Sequence, residues 1–143
     1  MNTPLYNKTI VCVAGHFNPL HSGHLKMIDA AKELGDYLVV IVANDYQASL
    51  KRPKLFQSQM ERSKIIGGLR NVDKVVVSVD ETPEVTETIR MIRPDIFASG
   101  CEPTHPDAIK EAEACLEMGI ETVFNVGGEK IKSSSAILNN YAS

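Results

Sequence analysis

Apolar residues in this chain come in two alternating arrangements: short unbroken runs, and longer stretches in which they recur every three or four positions. The runs predict five β-strands, Thr9 to Ala14, Tyr37 to Ala43, Lys74 to Val79, Asp95 to Ala98 and Glu121 to Val126. They have ordinary strand length, and their largely unbroken apolar character predicts burial on both faces, as in a parallel sheet with helices above and below. Between the first two, Leu25, Ile28, Ala31 and Leu34 share one helical face, and Gly35 stands where a left-handed C-cap belongs. Ser58 and Glu61 form a capping box ahead of Ile65, Ile66 and Leu69, predicting a helix from about Ser58 to Arg70. Thr82, Pro83 and Glu84 signal another start, with Val85, Ile89 and Ile92 inward and Pro94 as the stop. Pro106 opens a helix carrying Ile109, Ala112 and Leu116, and a short closing helix is expected from about Ser133 to Tyr141. The stretch from Asn44 to Gln57 shows no clear element, and long loops in compact domains are usually functional.

The chain has 143 residues, 43% apolar and 23% charged, enough for one hydrophobic core and short for two, so a single domain over residues 1–143 is expected. Fifteen Lys and Arg against eighteen Asp and Glu leave a formal charge of −3. That gives no global basic field for nucleic acid or a membrane surface, so any anion site must be local. Cys12, Cys101 and Cys115 are odd in number and form no CxxC pair, which fits neither a disulfide scaffold nor a four-thiolate zinc site. The opening residues lack a secretory pattern and no apolar run reaches membrane-spanning length, so a cytoplasmic location is expected.

The segment from Gly15 to His24, GHFNPLHSGH, lies between the first strand and the first helix, where open α/β sheets place ligands. Gly15 permits a turn directly after the strand, and Gly23 lets a phosphate approach main-chain N–H groups at a helix start. His21 and His24 are three apart, so both rings point the same way from one helical turn. Taken alone, such a pair is more often polar surface with a capping role than a site. Zinc needs a third ligand, and no residue stands at a suitable spacing, so no protein-held metal is expected.

This segment resembles the GxFDxxHxGH signature of the cytidylyltransferase-like nucleotidylyltransferases, a superfamily that includes glycerol-3-phosphate cytidylyltransferase, heptose-phosphate adenylyltransferase and pantetheine-phosphate adenylyltransferase. The similarity extends in order and spacing through Gly35 to Val40, Asp45, Lys51, Glu61-Arg62 and Arg70 to Asp73, then Pro94 to Phe97 with Gly100, and Lys132 to Ile137. The resemblance implies that His21 and His24, with Lys51, carry catalysis by holding the nucleotide phosphates. It places Gly15, His16, Phe17, Asn18, Gly23, Arg70, Asp73, Ser133, Ser134 and Ser135 at the nucleotide, and Lys54, Gly100, Cys101 and Glu102 at the acceptor. There are departures. Asn18 stands where many members have Asp, Cys101-Glu102 replace a common GGD or GDD triplet, Pro53 falls where a second lysine is usual, and Gly127 to Lys130 lacks an arginine.

The implied fold is a Rossmann-like open α/β sheet of about five parallel strands with helices on both faces. The implied activity is transfer of a nucleoside monophosphate from CTP or ATP to a small phosphorylated alcohol or sugar, in the manner of glycerol-3-phosphate cytidylyltransferase. Pyrophosphate is released, and Mg²⁺ arrives on the nucleotide phosphates. An adenylyltransferase of the heptose-phosphate, FAD-synthetase or pantetheine-phosphate type is the alternative, and a nucleotide-binding sensor without turnover is a second. Nucleic acid and membranes are not expected partners; the resemblance suggests a homodimer, although no stripe in the sequence marks an interface. The chemistry suits the residues: a phosphate monoester is largely dianionic near pH 7 because its second pKa is about 6, and attacks without a general base. What remains is to align two repelling anions and stabilise developing charge, which is work for donors, a helix N-terminus and lysines.

Overall fold

The computed structural model describes residues 7–52 and 54–128. Strands β1 (Ile10–Gly15), β2 (Tyr37–Val42), β3 (Lys74–Val77), β4 (Ile96–Ala98) and β5 (Glu121–Val123) form one sheet in the order β3-β2-β1-β4-β5, every pair parallel. Helices α1 (Ser22–Lys32), α2 (Asp45–Lys51), α3 (Gln59–Gly67), α4 (Thr86–Ile92) and α5 (Pro106–Met118) connect them. The chain winds outward from β1 in one direction to β3, then returns to β4 on the other side. The strand order reverses beside β1, and a crevice opens there at the carboxyl ends. Among the described residues no helix is long and apolar enough to cross a membrane.

Side chains alternate across β1 and β2, so each strand feeds two cores. Val11, Val13, Leu38 and Val40 face α1 and α3, meeting Ile28, Ala31 and Ile66. Cys12, Val39 and Ile41 face the other way, toward Val85, Ile89 and Cys115 on the α4 and α5 side. Burying a Val, Leu or Ile of this kind contributes about 1.5–3 kcal/mol, and both layers are therefore needed to hold the sheet.

Several details differ from the sequence expectation. The stretch from Asn44 to Gln57 contains α2, started by a reciprocal box in which Asn44 Oδ1 accepts the Gln47 N–H at 2.8 Å and Gln47 Oε1 accepts the Asn44 N–H at 3.1 Å. Helix α3 begins at the expected place, with Ser58 Oγ accepting the Glu61 N–H, but only this half of the expected capping box forms among the described residues, and the helix stops at Gly67. Helix α4 begins at Thr86 rather than near Thr82, because the carbonyls of Thr82 and Glu84 are drawn toward Gln47 Nε2 and the chain bends there. In α5 the inward face is Ala108, Glu111, Ala114 and Cys115, while Ile109 and Leu116 are 44% and 82% exposed. Small residues let α5 approach its neighbours closely, so the stripe of small side chains is the packed one. Leu25 is likewise exposed on α1, where Met27, Ile28 and Ala31 are buried. The closing helix expected from Ser133 to Tyr141 lies outside the described residues.

Candidate active site

Helix α1 starts at the carboxyl end of β1 and is capped by its own histidines. His21 is the N-cap, and its Nδ1 accepts the Gly23 N–H at 3.1 Å. His24 Nδ1 accepts the His21 N–H at 3.2 Å, completing a reciprocal box with imidazoles in place of the usual oxygens. With both Nδ1 atoms accepting, the proton of each neutral ring belongs on Nε2, which makes each Nε2 a donor. The rings stack with centroids 3.7 Å apart and 20° between planes. Phe17 buttresses them: its ring meets His24 edge-on at 4.9 Å.

These rings line a cleft of about 450 Å³ over the strand ends. Lys26, Gly23 and Met27 continue the α1 wall, Lys51 closes it from α2, and Gly15 and His16 form part of the floor. Two loops meet α1 at Met27: an added Cβ on Gly100 would fall 2.5 Å from Met27 Sδ, and one on Gly127, whose φ is +91°, would fall 2.8 Å from Met27 Cα. Glycine at both positions lets the loops after β4 and β5 close on α1, and they are tied together by Val126 N–H to Ser99 O at 2.9 Å and Asn125 N–H to Cys101 O at 3.0 Å. The opposite wall is Pro83, Val85 and Phe97 with Asp107 and Glu111 of α5. One lobe thus carries lysines and a helix N-terminus, and the other is apolar with two carboxyl groups.

Arg62 fixes the floor from beneath. It is 1% exposed; Nη1 donates to the carbonyls of His16 (2.9 Å) and Ala43 (2.6 Å), Nε to that of Gln57 (3.0 Å), and Nη2 to Asp45 Oδ1 at 3.1 Å. Burial pulls the guanidinium pKa down while Asp45 opposes this, and the group stays charged. His16 lies among cations: burial first, then the charges of Lys51, Arg62 and Arg52, push its pKa down to about 4, so its ring is neutral at pH 7. Burial also raises Glu111; the Val85 N–H, donating to Oε2 at 3.1 Å, works against this, and Asp107, Glu84 and Asp80 push upward again, to about 7.

The family model described as cytidylyltransferase-like matches residues 12–136. The chain belongs to the cytidylyltransferase-like family. FAD synthase of Picrophilus torridus is 33% identical over 131 residues, which are 89% of this chain and 91% of that protein. The bifunctional protein HldE of Gluconobacter oxydans is 34% identical over 124 residues, 85% of this chain and only 24% of that longer protein. Among solved structures, the lipopolysaccharide core biosynthesis protein of Thermoplasma volcanium superposes with a TM-score of 0.68 at 27% identity, covering 82% of this chain and 95% of that one. Membership makes this cytidylyltransferase-like chain a nucleotidyltransferase. Relatives named FAD synthase and HldE match the adenylyl alternative better than the glycerol-3-phosphate cytidylyltransferase reading.

Within this family frame, the structure gathers Gly15, His16, His21, Gly23, His24, Lys51, Gly100 and Cys101 at the cleft. Other expected site residues lie elsewhere. Phe17 is 1% exposed and packs behind His24, and Asn18 is 2% exposed with its Oδ1 taken by the Gln57 N–H at 2.9 Å. Lys54 and Glu102 are exposed outside the cleft wall. Arg70 and Asp73 precede β3 at the opposite, amino edge of the sheet. There Asp73 Oδ2 accepts from Lys32 Nζ at 2.6 Å and from the Leu38 N–H at 2.8 Å, joining α1 to β2. Ser133, Ser134 and Ser135 lie outside the described residues. Sequence reasoning missed Gln47 and Glu111, and placed Arg62 in the resemblance without a role at the site. The Asn44-Asp45-Tyr46-Gln47 box was a legible signal for the first, whereas a lone buried glutamate carries no local signature.

Proposed function

We propose that this chain transfers the AMP of ATP to a phosphate monoester acceptor, FMN foremost, forming FAD and releasing pyrophosphate. The observation that carries the reading is the pair of Nε2 donors at the N-terminus of α1, opposite the wall of Pro83, Val85 and Phe97 in the same cleft. An acceptor phosphate oxygen attacks the α-phosphorus, a new P–O bond forms, and the α–β bridge breaks with its electrons leaving on pyrophosphate. His21, His24, Lys51 and the α1 N–H groups are disposed to bind and stabilise the charge that builds on those phosphates. His16, neutral, can sit against a phosphate without adding another cation to the floor. Mg²⁺ arriving with the nucleotide belongs to the same proposal and would supply neutralisation of the phosphate charge.

The preference for FMN rests on the FAD synthase of Picrophilus torridus, which matches this chain along nearly its whole length. The measurement is pyrophosphate release with ATP or CTP against FMN, a heptose 1-phosphate and glycerol 3-phosphate. The expected result is turnover with ATP and FMN. Turnover with CTP and glycerol 3-phosphate alone overturns the reading, and nucleotide binding without release of pyrophosphate from any pair shows a sensor.

A further inference from the structure

Glu111 and Asp107 are cleft carboxyls with no role in the phosphate chemistry above, and Glu111 is the buried one. Its side chain leaves α5 beneath the bend before α4 and is 8% exposed. Oε2 accepts the main-chain N–H of Val85, the N-cap of α4, which has no side-chain cap of its own. No hydrogen bond reaches Oε1 among the described residues, and Glu111 faces the cleft from the wall opposite α1. Among the described residues, the charges that act on it are those of Asp107 on α5 and of Glu84 and Asp80 on the approach to α4, and it acts in turn on the thiols of Cys115 and Cys12. No lysine or arginine pairs with it among the described residues, so a proton is the means by which this buried group avoids an uncompensated charge.

We propose that Glu111 determines acceptor specificity, its carboxyl donating from Oε1 to a carbonyl oxygen or ring nitrogen at the end of the acceptor remote from the phosphate. The inference rests on the adenylyl-transfer reading, which puts the nucleotide phosphates at α1 and leaves the lobe of Pro83, Val85 and Phe97 to the acceptor. The division of labour follows from the carboxyl itself: Oε2 is held by the Val85 N–H, and in the protonated form Oε1 can carry the proton and donate into the cleft that Glu111 lines. A flat heteroaromatic ring with carbonyl oxygens on its edge, such as the isoalloxazine of FMN, offers apolar faces to Pro83, Val85 and Phe97 and acceptor atoms to a protonated carboxyl. A free sugar edge offers mostly hydroxyls, each able to give or take, and gains less from a fixed donor. An ionised carboxylate would meet the same acceptor atoms lone pair to lone pair and would repel the incoming phosphate. Acceptor binding should therefore weaken as pH rises through about 7.

The test is steady-state pyrophosphate release with ATP and whichever acceptor of the panel turns over, in wild type, Glu111→Gln and Glu111→Ala, between pH 6 and 8.5. Glutamine can keep the Val85 bond through its carbonyl and offers a permanent N–H toward the cleft. The expected result is an acceptor KM raised about tenfold in Glu111→Ala with the KM for ATP unchanged, and an acceptor KM in Glu111→Gln close to the wild-type value at pH 6 and without the wild-type rise above pH 7, where the acceptor phosphate is already dianionic. Should Glu111→Ala fail to fold, the pH dependence of Glu111→Gln decides alone. An acceptor KM that follows wild type in its pH dependence in Glu111→Gln, or a KM for ATP that rises in parallel, overturns the role of Glu111 and leaves adenylyl transfer standing. Absence of turnover with every acceptor overturns both.

Discussion

The imidazole of His24 lies on that of His21 with 3.7 Å between centroids, and within the same pair the Nδ1 of His24 accepts the His21 main-chain N–H at 3.2 Å. A capping arrangement thus fixes the tautomer of a donor pair. Capping and donation can be separated. In His21→Asn the side-chain oxygen can still cap α1, so stability should stay within about 0.5 kcal/mol, whereas His21→Ala should lose about 1 kcal/mol. Both should lose about 10²–10³ in kcat, because each lacks the Nε2 donor. Thermal melts read beside single-turnover rates would show it; full activity in His21→Asn would mean the ring is only a cap.

His16 gives a pH signature in stability. Its pKa is about 4 in the fold against 6.5 for a free side chain, so between those values the unfolded chain binds the extra proton. Its contribution is fully present above pH 6.5 and is lost as pH falls toward 4. Replacing it, as in His16→Gln, should flatten the acid side of the stability curve across that window. Urea melts at pH 7 and pH 5 on both proteins measure the difference, and equal slopes would contradict the buried neutral ring.

Arg62 ties three carbonyls and one carboxylate together under the cleft. Arg62→Ala leaves those acceptors without their donor and should cost about 3 kcal/mol. Arg62→Lys should recover only part of it, since an ammonium cannot span the fork that reaches His16, Ala43 and Gln57 together. Equilibrium denaturation reads both; a loss under about 1 kcal/mol in Arg62→Ala would mean water replaces the guanidinium.

Asp73 should matter for stability and not for turnover. Burial works to raise its pKa, but the bonds from Lys32 and the Leu38 N–H, with the charges of Lys32 and Lys8, hold it below the ordinary carboxylate value. A depressed folded pKa contributes stability that is present above the unfolded value and fades as pH falls through the folded one. Asp73→Asn should therefore be less stable than wild type at neutral pH, converge with it in acid, and keep wild-type kcat and KM. A tenfold change in the KM for ATP would return Asp73 to the nucleotide.

The alternation of strand runs and helical stripes was legible because solvent exclusion acts on every residue of a central strand and on one face of each helix. The segment from Gly15 to His24 was legible for the same local reason: a strand that ends in glycine and runs into a histidine-capped helix carries its geometry in adjacent residues. Helix α2 escaped notice because its apolar residues Tyr46 and Leu50 are about half exposed and draw no inward stripe, although its capping box stood in the sequence. The face of α5 was misread for a related reason, since size suggested Ile109 and Leu116 while close approach favoured Ala108 and Cys115.

The sequence by itself determined the α/β class, the strand and helix series and the turn from Gly15 into the start of α1, all of which depend on residues close together along the chain. Only the tertiary structure decided which end of the sheet each remaining residue serves. Asp73 and Gln47 are 26 positions apart and fall at opposite edges of one sheet, while Glu111 meets Val85 across 26 positions at the cleft wall. Strand order and crossover direction set those placements through long-range packing, and spacing along a single chain does not encode them.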